Sequence, residues 1–419
     1  MTEASLELTL HDKEARMRIP LKLYGTFLTI LAFTSAQSQS TPEPTPTVAV
    51  ASDSQVPSAA PPPAPPPAPS PEAPRVWKLG PFDFSGFTDV YYSYNANHPT
   101  DEANGKTNDL YNFDDKTNQV NVQAAKFVVN LDPKPVGMRI DLLFGRANEL
   151  YHSKRDTSTD NYIEQAFLST KPGHTHGTEI DFGQFVTSAG AEVVETTLNW
   201  NYSHSILFAW AIPYYHFGVR SSTPITSTWT AGVQVVKGWN NVNLSDGGAT
   251  IGLISALTKP KYTWSANFYT GPANVYEVNN YKNLIDTTLL LTPTPKFSAY
   301  VNYDYLHENS TPTVSGSTTT SLHYQGIAFA ARQQVSAKGA FAARYEYFAD
   351  GEALSTGFNQ NLQEFTGTYE YALLPNLLTR VEFRHDWSDV DFFHKGNTDL
   401  VKGQTTATIG LIAFLGPKR

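Results

Sequence analysis

The chain has 419 residues, a formal net charge of −9, no cysteine, and 13% aromatic against only 16% charged residues. Without cysteine there is no disulfide, thiolate nucleophile, thiolate-ligated zinc, iron–sulfur cluster or lipid on an N-terminal cysteine. The acidic balance argues against broad nucleic-acid binding, which needs clustered Lys and Arg. The mean hydropathy of −0.33 suits a soluble protein, or equally a barrel wetted on its inner face.

Residues 1–16 are charged and carry no partner pattern, and a second start lies at Met17. After it, Arg18 and Lys22 form a positive region, Thr26–Phe33 a short apolar core, and Thr34, Ser35 and Ala36 a cleavage point near Gln37. That is the order of a secretory signal, and the core is shorter than the ~20 residues a spanning helix needs. We therefore expect residues 1–37 to be an extension plus an export signal, with translation starting at Met17. Residues 41–74 read TPEPTPTVAVASDSQVPSAAPPPAPPPAPSPEAP. Proline fixes φ and removes donors, so 38–80 is expected to be an extended periplasmic spacer. Residues 81–419 then form one domain.

From Phe82 onward the dominant signal is alternation with period two. In Lys296–Leu306, Phe297, Ala299, Val301, Tyr303 and Tyr305 share one face, opposite Ser298, Tyr300, Asn302 and Asp304. In Asn376–Trp387 the apolar series Leu377, Thr379, Val381, Phe383 stands opposite Arg380, Glu382, Arg384 and Asp386. Phe341, Ala343, Tyr345 and Tyr347 oppose Arg344 and Glu346, and Met138, Ile140, Leu142 and Phe144 oppose Arg139 and Asp141. Charges of both signs on one strand face need water, while the other face needs hydrocarbon or a core.

The connections decide between those two. Short links marked by Pro, Lys or Gly fall at Asp132–Pro135, Lys171–Gly177, Thr223–Ser227, Thr258–Lys261, Thr292–Lys296, Ser336–Gly339 and Leu374–Asn376. They alternate strictly with long polar links: 95–118, 146–161, 187–214, 239–248, 271–282, 307–320, 350–360 and 388–403. Tight turns at one end and long loops at the other are the wiring of an outer-membrane barrel, and a soluble sandwich or propeller has no reason to show it. The expected fold is all-β: a transmembrane antiparallel up-and-down barrel of about 16 strands. Tyr91, Tyr92, Tyr94, Tyr303, Tyr305, Tyr345, Tyr347 and Phe348 lie where strands meet long loops and are expected to form an interfacial girdle.

The segments GFTDVYYSYN (86–95), GMRIDLLFG (137–145), DFGQFVTSAGAEVVE (181–195), NWNYSHSILFAWAIPYYHFGVR (199–220), GWNN (238–241), RYEYF (344–348) and RVEFRHDWSD (380–389) resemble the bacterial β-barrel porin-2 family. The resemblance covers about residues 82–414 and implies a pore-forming outer-membrane protein, folded by the barrel assembly machinery among lipid and lipopolysaccharide. The chain departs from many such barrels in its ending, since Phe414 is followed by Leu-Gly-Pro-Lys-Arg. A homo-oligomer, a trimer by analogy with porins of similar strand number, is the expected assembly.

A sixteen-stranded barrel leaves an aqueous channel that needs a constriction. The link 187–214 is the candidate, because Ile206–Ile212 is nearly continuously apolar and would not lie in water. Folded inward, it is expected to carry Glu192 and Glu195 toward the inward basic side chains Arg139, Arg344, Arg380 and Arg384, with Asp141, Glu346, Glu382 and Asp386 beside them. Acids facing arginines set up a transverse field that favours polar solutes or ions. The alternative is an extra strand at 206–212, with these charges pairing within the wall.

No catalytic or metal site is expected. Ser203 and His204 are adjacent and point to opposite faces of an extended chain, and there is no Gly-x-Ser-x-Gly elbow. His174 and His176 sit in a short turn without carboxylates. Asp101, Glu102, Asp109, Asp114 and Asp115 belong to a solvated loop or bridge divalent cations to lipopolysaccharide. The expected function is passive diffusion of small hydrophilic solutes, without cofactor. A surface-contact barrel with a blocked lumen and a membrane-embedded hydrolase are the alternatives.

Overall fold

A computed structural model describes residues 77–100, 106–152, 161–242, 248–272, 281–310 and 320–415. The expected extension, export signal and most of the spacer lie outside the described residues, as do Asp101, Glu102 and the residues after Leu415.

Sixteen strands form the wall. They are β1 (Phe82–Asn95), β2 (Gln119–Leu131), β3 (Val136–Phe144), β4 (Ile163–Thr170), β5 (Glu179–Val186), β6 (Tyr215–Pro224), β7 (Trp229–Val236) and β8 (Thr250–Lys259). They continue as β9 (Tyr262–Pro272), β10 (Tyr281–Thr294), β11 (Phe297–Ser310), β12 (Thr320–Gln334), β13 (Gly339–Asp350), β14 (Gln360–Leu374), β15 (Leu377–Ser388) and β16 (Gly403–Leu415). Each pairs antiparallel with its sequence neighbour, and β16 closes the ring on β1 through Ile409 opposite Tyr92 and Leu415 opposite Gly86. Closure leaves no sheet edge, which the absence of water in a bilayer core requires. The expected antiparallel barrel is the observed one, and the short and long links fall where the composition placed them. A three-residue strand, Trp77–Leu79, folds back on the start of β1.

Alternation sorts the side chains. Phe127, Leu168, Phe182, Val233, Leu253, Trp264, Phe341, Phe365, Val381 and Ile409 are exposed on the outer face. Tyr92, Tyr94, Tyr345 and Tyr347 are also exposed there near the long-loop end, as a girdle requires. Tyr91 and Phe348 depart from the expected girdle. Each is one residue out of phase with its exposed neighbours and so points inward, fully buried.

Much of the inner face is buried because loops pack against it. The loop L1 (96–118) places Leu110, Phe113 and Asp114 in the interior, and L2 (145–162) places there a short helix, Arg146–Tyr151, with Ala147 and Tyr151 buried. The loop L3 (187–214) lies inside with most of its side chains buried, and residues 207–211 form one turn of π-helix rather than an additional strand. Inward side chains from Asn267 and Asp286 to Arg384 and Thr406 are correspondingly buried.

Candidate pore constriction

L3 spans the lumen. At one side Asn267 of β9 donates to the Ser188 carbonyl at 2.9 Å, and Asp286 of β10 accepts from the Gly190 amide at 3.0 Å. At the other, Asp89 of β1 accepts from the Thr196 hydroxyl and, at 2.8 Å, from the Tyr202 hydroxyl. Strands β1 and β9 stand opposite one another in a ring of sixteen, so the loop is tied across a full diameter.

The wall is shaped to receive it. Gly326 and Gly410 both face inward. A Cβ at Gly326 would stand 2.8 Å from Leu207 Cδ1, and one at Gly410 would collide with the Tyr202 ring. Only glycine lets these loop side chains reach the backbone of the sheet. Ala328 and Ala330 continue the shallow strip along β12.

Most of the charged residues singled out by alternation hold the backbone of L3. Arg344 donates to Glu192 Oε1 at 2.7 Å, to the Ser203 carbonyl at 2.8 Å and to Glu364 Oε1 at 2.7 Å. Arg380 donates to the carbonyls of Thr196, Asn199 and Asn201, and is held from behind by Glu370 at 2.7 Å. Arg384 donates to the His204 carbonyl at 2.7 Å and to Asp386 at 2.8 Å. Glu382 accepts from the Tyr202 and Ser203 amides, and Glu346 from the Ile206 amide. A buried charge needs partners, and an irregular loop packed inside a barrel has unpaired amides and carbonyls that need them too. The two requirements satisfy one another through charge-assisted bonds.

This differs from the expected arrangement of acids facing arginines across open water. Arg344, Arg380, Arg384, Glu346, Glu382 and Asp386 are all buried, behind or beneath the loop. Glu192 is likewise buried and paired directly with Arg344. Arg139 is different: its side chain is 36% exposed while it grips the buried Asp141 through two bonds of 2.8 and 2.9 Å.

Glu195 meets a residue that alternation did not single out. Lys126 of β2 places its Nζ among Asp141 at 3.0 Å, Glu164 and Glu195. These three carboxylates converge as a cation site would, and the Lys126 ammonium supplies the positive charge. Asp89, Asp286 and Phe113 are further contributors that the sequence pattern did not mark.

Within the loops, burial pushes the Glu192 carboxyl up, but the adjacent Arg344, with His204 and the Ser205 amide, more than offsets this and holds it below the usual carboxylate range. Burial drives Asp114 up to about 6 despite the pull of His204. Burial also opposes the His204 imidazolium, yet Asp114 and Glu192 outweigh it and raise its pKa. Ser203 Oγ accepts from Arg384 at 3.3 Å, and the His204 ring stacks on Phe208. Both are absorbed into the packing of L3.

The barrel fold has parallels among solved structures. The barrel is similar to an anion-selective porin from Comamonas acidovorans (TM-score 0.55, 10% identity, covering 80% of this chain and 99% of that one). It is also similar to the outer membrane channel DcaP of Acinetobacter baumannii (TM-score 0.54, 12% identity, 81% and 99%). Salmonella typhi OmpF in complex with daunomycin aligns comparably (TM-score 0.51, 12% identity, 81% and 100%). At such identities the likeness establishes the fold. A search among curated proteins finds no match. The family described as "Putative beta-barrel porin-2, OmpL-like" matches residues 81–415. The chain therefore belongs to the β-barrel porin-2 family.

Proposed function

We propose that this outer-membrane porin passes small hydrophilic solutes passively down their gradients, without cofactor, through a barrel that L3 narrows. Membership of a porin family and a closed sixteen-stranded wall support the porin assignment. The observation that carries the finer reading is the polar anchoring of L3 across the diameter, since a porin needs a loop inside its barrel to restrict what passes. Arg139 and Glu195 are the proposed solute-facing charges, with the buried arginines setting the loop's position.

In this reading residues 1–37 direct export from Met17, residues 38–80 form a periplasmic spacer, and the barrel sits among lipid and lipopolysaccharide after delivery by the assembly machinery. Recording in planar bilayers with salts of different ion size tests it. Ion-conducting openings are expected, and insertion that stays silent even after deletion of L3 sinks the reading. A second reading, a barrel with a blocked lumen that acts through its external loops, is favoured by the burial of the inward side chains; a wild type that never opens while the L3 deletion conducts would support it over the first.

A further inference from the structure

We infer that L3 is a gate closed at rest and that the tip of L1, residues 110–114, is its lock; the inference rests on the porin reading. L1 is the fixed part. Asp109 accepts from the His394 amide and ring at 2.7 and 2.8 Å, the Asn108 side chain donates to Ser93 and accepts from Asn95, and Tyr111 bonds Thr406 at 2.5 Å. Thus anchored, L1 presents Leu110 and Phe113 to the apolar arm of L3. Phe113 packs edge-on against His204 and Tyr214, with ring centroids 5.1 and 5.0 Å apart, and against Phe208 at 6.0 Å. Trp210 donates to the Leu110 carbonyl at 3.1 Å, and Asn112 donates to the Ala209 carbonyl at 3.0 Å.

Two features mark this contact as held rather than relaxed. Leu110 and Phe113 both adopt left-handed backbone, φ 66° and 74°, which bulky residues accept only where their surroundings impose it. Beside them Asp114 and His204 are fully buried 3.7 Å apart, with both Asp114 oxygens and His204 Nδ1 lacking a hydrogen bond. On the wall side, L3 is held by wall side chains on its backbone, bonds that water can replace once the loop moves. The L1 contact is the apolar layer that keeps water from them. A loop tied across the diameter and covered on one side by a second anchored loop is a two-position element, with release of the cover as its first step.

The test is single-channel recording of the full chain reconstituted in planar bilayers, comparing wild type, Phe113→Ser, and a variant with L3 replaced by a short Gly/Ser link. The L3 replacement is expected to conduct steadily; silence there refutes the porin reading and with it this inference. Wild type is expected to be mostly closed with brief openings, and Phe113→Ser to raise the open fraction at least fivefold. A wild-type channel that stays open, or a Phe113→Ser trace indistinguishable from wild type while the L3 replacement conducts, overturns the lock alone. Because the chain has no cysteine, Asn112→Cys with Ala209→Cys joined by a short bismaleimide gives an independent check. The joined protein is expected to lose its openings, and unchanged openings refute the lock even if Phe113→Ser fails to fold.

Discussion

Arg344 on the barrel wall and Glu192 on the inward loop form a buried 2.7 Å ion pair, and the same guanidinium nitrogen reaches the Ser203 carbonyl on the returning arm. One wall side chain thus fixes both arms of L3. Removing either partner leaves the other charge buried and unpaired, which costs about 3–5 kcal/mol, much of it carried by the loop rather than the strands. Arg344→Ala and Glu192→Ala should each loosen L3 and raise its susceptibility to protease, while the β-sheet circular dichroism of the barrel stays unchanged. A double-mutant cycle on urea unfolding should return a coupling of about 1–3 kcal/mol. Additive effects would show that the pair does not act as a unit.

Arg139 should behave unlike the buried arginines. Its side chain is partly exposed and touches no L3 backbone group through the bonds described, whereas Arg380 caps three loop carbonyls. Arg139→Glu is expected to shift permeability toward cations at nearly unchanged conductance. Arg380→Glu with Arg384→Glu is also expected to favour cations, but with a rise in conductance as L3 loses its anchors. Reversal potentials in a salt gradient, read with unit conductance, separate the cases. Equal conductance changes in both variants would remove the distinction between solute-facing and loop-holding arginines.

The architecture was legible because hydrocarbon outside and water or polar groups inside force a period of two, and because turn chemistry differs from loop chemistry. Phase errors are local: Tyr91 and Phe348 sit beside girdle residues in sequence and face the other way in space. The apolar run Ile206–Ile212 was the signal that set L3 apart from the other long links. What Arg380 and Glu382 bind was not, since their partners are backbone carbonyls and amides that carry no side-chain signature. Lys126 escaped notice as a lone charge in a small-residue run, and its three carboxylate partners come from β3, β4 and L3. The entry of L1 was masked by the acids around Leu110 and Phe113, although two apolar residues amid Asp109, Asp114 and Asp115 were the available signal.

Gly410 offers a steric test of the seat for L3. The Tyr202 ring lies against the backbone of β16 there, with its hydroxyl on Asp89, and a methyl group would occupy the same space. Gly410→Ala should therefore displace Tyr202 at a cost of about 1–3 kcal/mol, weakening the hold of L3 without disturbing the pairing of β15, β16 and β1. The expected result is a lower unfolding midpoint in detergent and a noisier, larger conductance. In a Tyr202→Ala background, Gly410→Ala should lower the midpoint little further, and a full additional loss would place the clash elsewhere.

The closed arrangement should loosen as pH rises, and the sign follows from Asp114 and His204 together. Both pKa values are raised, Asp114 from 3.8 to about 6 and His204 above 6.5. A group with a raised pKa in the packed state favours that state when protonated. The contribution of His204 is therefore fully present below pH 6.5 and is lost as pH climbs through its raised value. Ionising buried Asp114 between pH 3.8 and about 6 likewise works against packing. The surrounding charges set the balance: Asp114 also faces Glu382 and Arg384, and His204 faces Glu192. Glu192, whose pKa is lowered, gives its stabilisation above 4.5 and loses it only in stronger acid. The open fraction should thus be smallest near pH 4.5, rise as Asp114 ionises toward pH 6, and rise again as His204 loses its proton toward alkaline pH. Asp114→Asn removes the partner that holds the proton on His204, so imidazole resonances of the protein in micelles should report a lower His204 pKa. The acid limb of the rise should then vanish, and the limb that follows His204 should lie at lower pH than in wild type. A His204 titration that Asp114→Asn leaves unmoved would show that L1 does not hold L3 through this pair.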